Sequence, residues 1–103
     1  MKQVIITHHA HDRMKERVGI PVSAHEKAAS KAWNDGARNS DVSGALRRFL
    51  DALSHRYPGK SIRVYSEKAW CFDGGGILIT VINLPRKYVN AANRAMESRK
   101  QNQ

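Results

Sequence analysis

The chain has 103 residues, 41% hydrophobic and 26% charged, which suits one domain over residues 1–103 with a single modest core and excludes a disordered tract. Lys and Arg number 18 against 9 Asp and Glu, so the formal net charge is +9, and such a chain attracts phosphate backbones and anionic surfaces. No apolar run approaches the ~20 residues of a membrane span. Residues 1–7 lack the apolar core of a signal peptide, and the lone Cys71 can form neither an internal disulfide nor a multi-cysteine zinc site, so a cytoplasmic protein without a membrane partner is expected.

Val4, Ile5 and Ile6 suggest a short strand, after which Thr7 can cap a helix. Over residues 8–18, Ala10, Met14 and Val18 recur at i, i+4 and i+8 as a narrow buried stripe. Gly19 and Pro21 stop that helix. Ser23 to Glu26 spells S-x-x-E, the reciprocal capping box, and opens a second helix with Ala28, Ala29, Ala32 and Trp33 on its apolar face. Gly36 suits its end, and residues 34–41 form a polar loop. A third helix carries Leu46, Phe49, Leu50, Leu53 and Tyr57 at helical spacing, with Ser40, Asp41 or Ser43 as its cap and Pro58-Gly59 as its stop. The period then changes from 3.6 to two. Residues 61–66 read as a strand with Ile62, Val64 and Ser66 on one face and Arg63 and Tyr65 on the other. Residues 68–72 read as a second strand, 73–76 as a Gly-rich turn, and 77–82 as a β-branched, central third strand. Pro85 starts a last short helix that reaches towards Ser98, and residues 99–103 are expected to fray. The order implies an α+β fold: N-terminal helices packed on one face of a small C-terminal antiparallel sheet, with a final short helix and an open opposite face.

The most unusual cluster lies on the first helix. His9, Arg13 and Arg17 are spaced i, i+4, i+8 and share one ridge, about 100° round from the apolar stripe. Three such groups repel one another unless an anion lies among them. Imidazole moves protons near neutral pH, and guanidinium clamps phosphate oxygens. The alternative is a solvated face whose arginines pair with Asp12, Glu16 or other acids. His8, His9 and His11 do not converge as metal ligands, and no HExxH pattern is present, so no metal and no cofactor are expected. His8 and His11 read as surface residues.

Gly74, Gly75 and Gly76 lack the Lys-Ser/Thr and helix of a phosphate loop and suit a hairpin. Trp33 fits the core. Trp70 stands either in the core or against a base. Cys71 has no activating partner in sequence. Thr80 interrupts an apolar strand and is expected to face the same way as Leu78 and Ile82. Lys15, Arg63, Tyr65 and Trp70 are the expected nucleic-acid contacts around the ridge.

The string Thr7-x-His9-Ala10-x-x-Arg13-Met14-x-x-Arg17, preceded by a short strand and followed late in the chain by Ile79-Thr80-Val81, resembles small bacterial and phage domains with an H-A-x-x-R-x-x-x-R helix. These are distantly similar to the barnase–EndoU–colicin–RelE-like ribonuclease toxins. The resemblance covers about a third of the chain by the motif positions quoted. It implies metal-independent cleavage of RNA, whose 2′-hydroxyl supplies the nucleophile. His9 would be the general acid or base, Arg13 and Arg17 would hold the scissile phosphate, and Thr80 would position an oxygen. An antitoxin, immunity or host protein would be a possible partner. The two middle helices exceed what a minimal toxin needs. Two other functions stand beside cleavage: non-catalytic binding of nucleic acid, and a phage-encoded inhibitor that docks on a host protein.

Overall fold

A computed structural model describes residues 4–57, 60–73 and 75–101. The elements in order are β1 (Ile5–Ile6), α1 (His8–Arg17), α2 (His25–Asp35), α3 (Gly44–Arg56), β2 (Lys60–Tyr65), β3 (Lys68–Asp73), β4 (Ile77–Asn83) and α4 (Val89–Gln101), with short 3-10 turns before α2, α3 and α4. The class is α+β, with helices before the main strands and one at the C-terminus. α4 runs past the expected end near Ser98 to Gln101. The expected helix stop at Pro58-Gly59, Gly74 of the expected turn, and residues 1–3 and 102–103 lie outside the described residues. Among the described residues no helix is long and apolar enough to cross a membrane.

Two particulars differ from the sequence-based picture. The sheet is mixed, in the order β1-β4-β3-β2, because β1 lies parallel to β4 with Ile5 opposite Ile77 and Ile6 opposite Leu78. An isolated two-residue strand must find backbone partners, and the free edge of β4 supplies them: Ile5 N–H donates to the Gly76 carbonyl and Thr7 N–H to the Leu78 carbonyl, each at 3.2 Å. The second difference is that helices cover both faces of the sheet. On one face Ala10 and Met14 of α1 and Ala29 and Ala32 of α2 pack with Trp70, Phe72, Leu78 and Val81. On the other, Leu46, Leu50 and Leu53 of α3 and Ala92 of α4 pack with Ile62, Val64, Ala69 and Cys71. The reason lies in β3, where Ala69, Trp70, Cys71 and Phe72 are all buried. A strand that is apolar on both sides needs two covers.

Local chemistry fixes α1 on β4. Thr7 is the N-cap, and its hydroxyl accepts the Ala10 N–H at 3.1 Å while donating to the Ile79 carbonyl at 3.4 Å. At the other end Val18 and Gly19 N–H both donate to the Met14 carbonyl, and Gly19 takes the left-handed conformation, φ +73°, that ends helices. α2 begins differently from expectation. Ser23 lies inside the 3-10 turn, and the N-cap is Ala24, with no side-chain cap. The turn carries the chain past Pro21 before the helix starts, which displaces Ser23 from the capping position.

At its C-terminus α2 approaches β2 closely. A methyl group on Gly36 would meet the Ala32 carbonyl oxygen and the Arg63 Cβ. The next residue, Ala37, exchanges two backbone hydrogen bonds with Val64, of 2.9 and 2.7 Å. This bridge partly covers the outer edge of β2, which would otherwise be open. β4 carries a bulge: Phe72 pairs with Leu78 but Cys71 pairs with Thr80, so Ile79 is an extra residue.

Candidate nucleic-acid interface

α1 presents the ridge as spaced, but its three members do different things. His9 is exposed. The Arg13 guanidinium donates to the Glu16 carboxylate at 2.7 Å, the i,i+3 pairing that the solvated-face alternative anticipates. Arg17 reaches inward, and its Nη1 donates to the Val81 carbonyl at 2.6 Å. Lys15 is exposed, and His8 stands 3.7 Å from the Asp12 carboxylate.

Thr80 does not join the ridge. Residues directly opposite in a sheet share a face, and Thr80 is opposite Cys71, which packs towards α3 and α4. The bulge at Ile79 turns Thr80 away from Leu78 and Val81, which face α1 and α2. The expectation that Thr80 and Leu78 face the same way fails on that one extra residue. Thr80 is buried, on the side of the sheet opposite His9, Arg13 and Arg17.

Two expected nucleic-acid contacts are built into the core instead. Trp70 is only 1% exposed, and its indole N–H donates to the Tyr65 carbonyl at 2.8 Å, so it offers no face to a base. Arg63 is 6% exposed; its Nε donates to the Trp33 carbonyl at 3.3 Å, and its guanidinium lies 4.5 Å over the Trp33 ring. A cation at the C-terminus of α2 satisfies a carbonyl the helix leaves unpaired and complements the helix dipole. Trp33 in turn packs on Phe72, ring centroids 4.9 Å apart. Tyr65, on the same strand face as Arg63, is half-buried and keeps part of its ring at the surface.

His11 is also not a plain surface residue. It stacks on the fully buried His25 with ring centroids 5.0 Å apart and Nδ1 atoms 2.7 Å apart. His25 Nε2 lies 3.1 Å from the Ile20 carbonyl. A carbonyl only accepts, so Nε2 carries a hydrogen, and one hydrogen sits between the two Nδ1 atoms. This pair ties α1 to α2. Cys71 is buried, and desolvation pushes its thiol up to about 11, the state of an inert core thiol. Among the described residues no group of three or more His, Cys, Asp or Glu side chains is placed to hold a metal ion.

Several cations face a cleft of about 360 Å³ at the end of the sheet, lined by Arg17, Glu67, Lys68, Asn83, Leu84, Arg86 and Val89. It joins the end of α1, the β2–β3 hairpin tip and the β4–α4 connection. The hairpin turn is Ser66-Glu67, with φ +51° and +62°. Two consecutive left-handed residues match the right-handed twist of the strands, a turn that usually takes Asn-Gly. Ser66 and Glu67 hold this conformation at a cost of order 1–3 kcal/mol each. The turn is held from outside, since Leu84 N–H donates to the Glu67 carbonyl at 3.4 Å and the Asn93 amide donates to the Glu67 carboxylate at 3.3 Å. Among the described residues no carboxylate is ion-paired with Arg17, Lys68 or Arg86. Three cations therefore share the cleft with one carboxylate, already hydrogen-bonded, and an anion in the cleft relieves their repulsion.

The sequence marks Arg17 but not Glu67 and Lys68 of the β2–β3 hairpin or Arg86 of the β4–α4 connection. Comparison with family models, curated proteins and solved structures finds no match for this chain.

Proposed function

We propose that this chain is a cytoplasmic nucleic-acid-binding protein, directed to RNA, that grips phosphates with Arg17, Lys68 and Arg86. The observation that carries this reading is the cleft: three cations from three elements, without ion-pair partners among the described residues, on a chain of net charge +9. The Val81 carbonyl holds Arg17 by one nitrogen and leaves its other donors for a ligand. Guanidinium is suited to that task because its planar fork matches phosphate oxygens.

Binding without cleavage is the reading we favour over a ribonuclease. Acid–base catalysis needs the proton-transfer group within hydrogen-bond reach of the phosphate site. His9 and Arg17 are eight residues apart on one helix, about 12 Å along its axis at 1.5 Å per residue. Thr80 is on the other side of the sheet.

A salt titration tests the proposal. RNA affinity is measured from 50 to 300 mM salt, in EDTA, for the wild type and for Lys68→Gln and Arg86→Gln. Each variant is expected to lower the slope of log affinity against log salt by about 1, one lost phosphate contact apiece. Unchanged slopes would remove the cleft from the interface. Metal-free cleavage of RNA that disappears in His9→Ala would restore the catalytic reading.

A further inference from the structure

Beside the cleft lies a second concavity of about 220 Å³, lined by Ile20, Ala24, Lys27, Ala28, Lys31 and Tyr65. We propose that it takes one unpaired base of a single-stranded RNA, stacked against Tyr65, with the neighbouring phosphates on Lys27 and Lys31. This inference rests on the nucleic-acid reading of the cleft and adds to it which form of nucleic acid is bound.

The concavity is shallow and open, and its lining is apolar, which suits the face of one flat ring. Pockets for drug-sized ligands run from about 300 to 1,000 Å³; this one is smaller and suits a single base. Its floor is small and apolar, since Ala24 and Ala28 lie one turn apart on the α2 side and are half-buried. Ile20 and the phenol of Tyr65 provide the walls. Lys27 and Lys31, also one turn apart, are exposed at the rim, and neither is ion-paired with a carboxylate among the described residues. An aromatic wall beside free cations is the combination that single-strand binders use: stacking for the base and charge for the backbone.

The slot and the cleft adjoin at the β2–β3 hairpin. Tyr65 is the direct cross-strand partner of Lys68, which lines the cleft, so the two side chains are neighbours on one face of the hairpin. Ile20 follows Arg17 by three residues. A strand with a phosphate among Arg17, Lys68 and Arg86 thus has a base slot beside that phosphate. The Trp70 indole N–H holds the Tyr65 backbone carbonyl at 2.8 Å, which fixes the strand from which the ring projects. A duplex keeps the faces of its bases stacked inside, so its phosphates engage the cleft but it offers no ring face to the slot.

The test measures affinity for three fluorescent RNAs of equal length: an oligouridylate, a duplex, and an abasic ribose-phosphate strand. Wild type is expected to bind the oligouridylate more tightly than the abasic strand. Tyr65→Leu is expected to weaken oligouridylate binding about 5- to 150-fold, the range for loss of one stacked base, and to leave the duplex and abasic affinities unchanged. Tyr65→Phe keeps the ring and is expected to bind as wild type, which guards against a mere folding defect. The exposed pair Lys27→Gln/Lys31→Gln is expected to weaken both single strands. If Tyr65→Leu binds oligouridylate as well as wild type while Lys68→Gln and Arg86→Gln weaken every RNA, the base slot is wrong and the cleft reading survives. If the wild type binds none of the three RNAs, both readings fall. If polyglutamate competes better than oligouridylate, the groove is a site for an acidic protein segment and the base slot is overturned.

Discussion

The two covers of the sheet are made in different ways. The α3/α4 side is held mainly by packing: Leu46, Leu50, Ile62, Val64 and Ala69 are at most 5% exposed and form one apolar cluster, and an exposed hydrogen bond from Asn93 of α4 to Glu67 adds to it. The α1/α2 side is threaded with polar ties. Thr7 holds Ile79, Arg17 holds Val81, Arg63 holds Trp33, and His11 and His25 lock the two helices together. Polar ties fix direction and register where packing would allow sliding, at the cost that each tie must be complete. The side with the ties also carries the concave basic surface. A site made of cations from separate elements needs those elements held in register, and the apolar side needs only to be filled.

That contrast can be broken from either side. The largest effect is expected from Leu50→Ala. Leu50 is fully buried among α3, β2 and β3, so the variant should lose about 2–5 kcal/mol of unfolding free energy in denaturant titration. Its RNA affinity, measured where it remains folded, should match wild type. A loss of affinity there would mean that the apolar side also shapes the interface. Gly36→Ala is expected to cost less, about 1–3 kcal/mol, because a methyl group against the Ala32 carbonyl and the Arg63 Cβ must push α2 off β2. No stability change would mean that the α2–β2 approach is looser than the contact distances require.

Much of this fold could be read from the sequence because its signals are local. The apolar positions of α1 and α3 recur at helical spacing, Thr7 caps as its position suggests, and Ile62 and Val64 do face away from Arg63 and Tyr65. What could not be read depends on long-range partners or on one-residue irregularities. The alternation of β2 places Arg63 and Tyr65 on one face, but only the docking of α2 decides that Arg63 is buried and Tyr65 is partly open. The bulge at Ile79 leaves no sequence mark, yet it sends Thr80 to the far side of the sheet. The strand bounds place the turn near Glu67 and Lys68 at the start of the next strand, but Ser66-Glu67 lacks the Asn-Gly signature, so the left-handed two-residue turn beside the cleft is not legible. Arg86 enters only through the path of the chain after β4.

The most direct measurement is an amide NMR titration of the 15N-labelled protein with a short oligouridylate. Binding through the cleft and slot predicts shifts at Arg17 to Ile20, Tyr65 to Lys68 and Leu84 to Val89, together with Lys27 and Lys31, and no shifts in the middle of α3. Shifts confined to α3 and its neighbours, or none at saturating RNA, would contradict a nucleic-acid role for the basic end of the sheet.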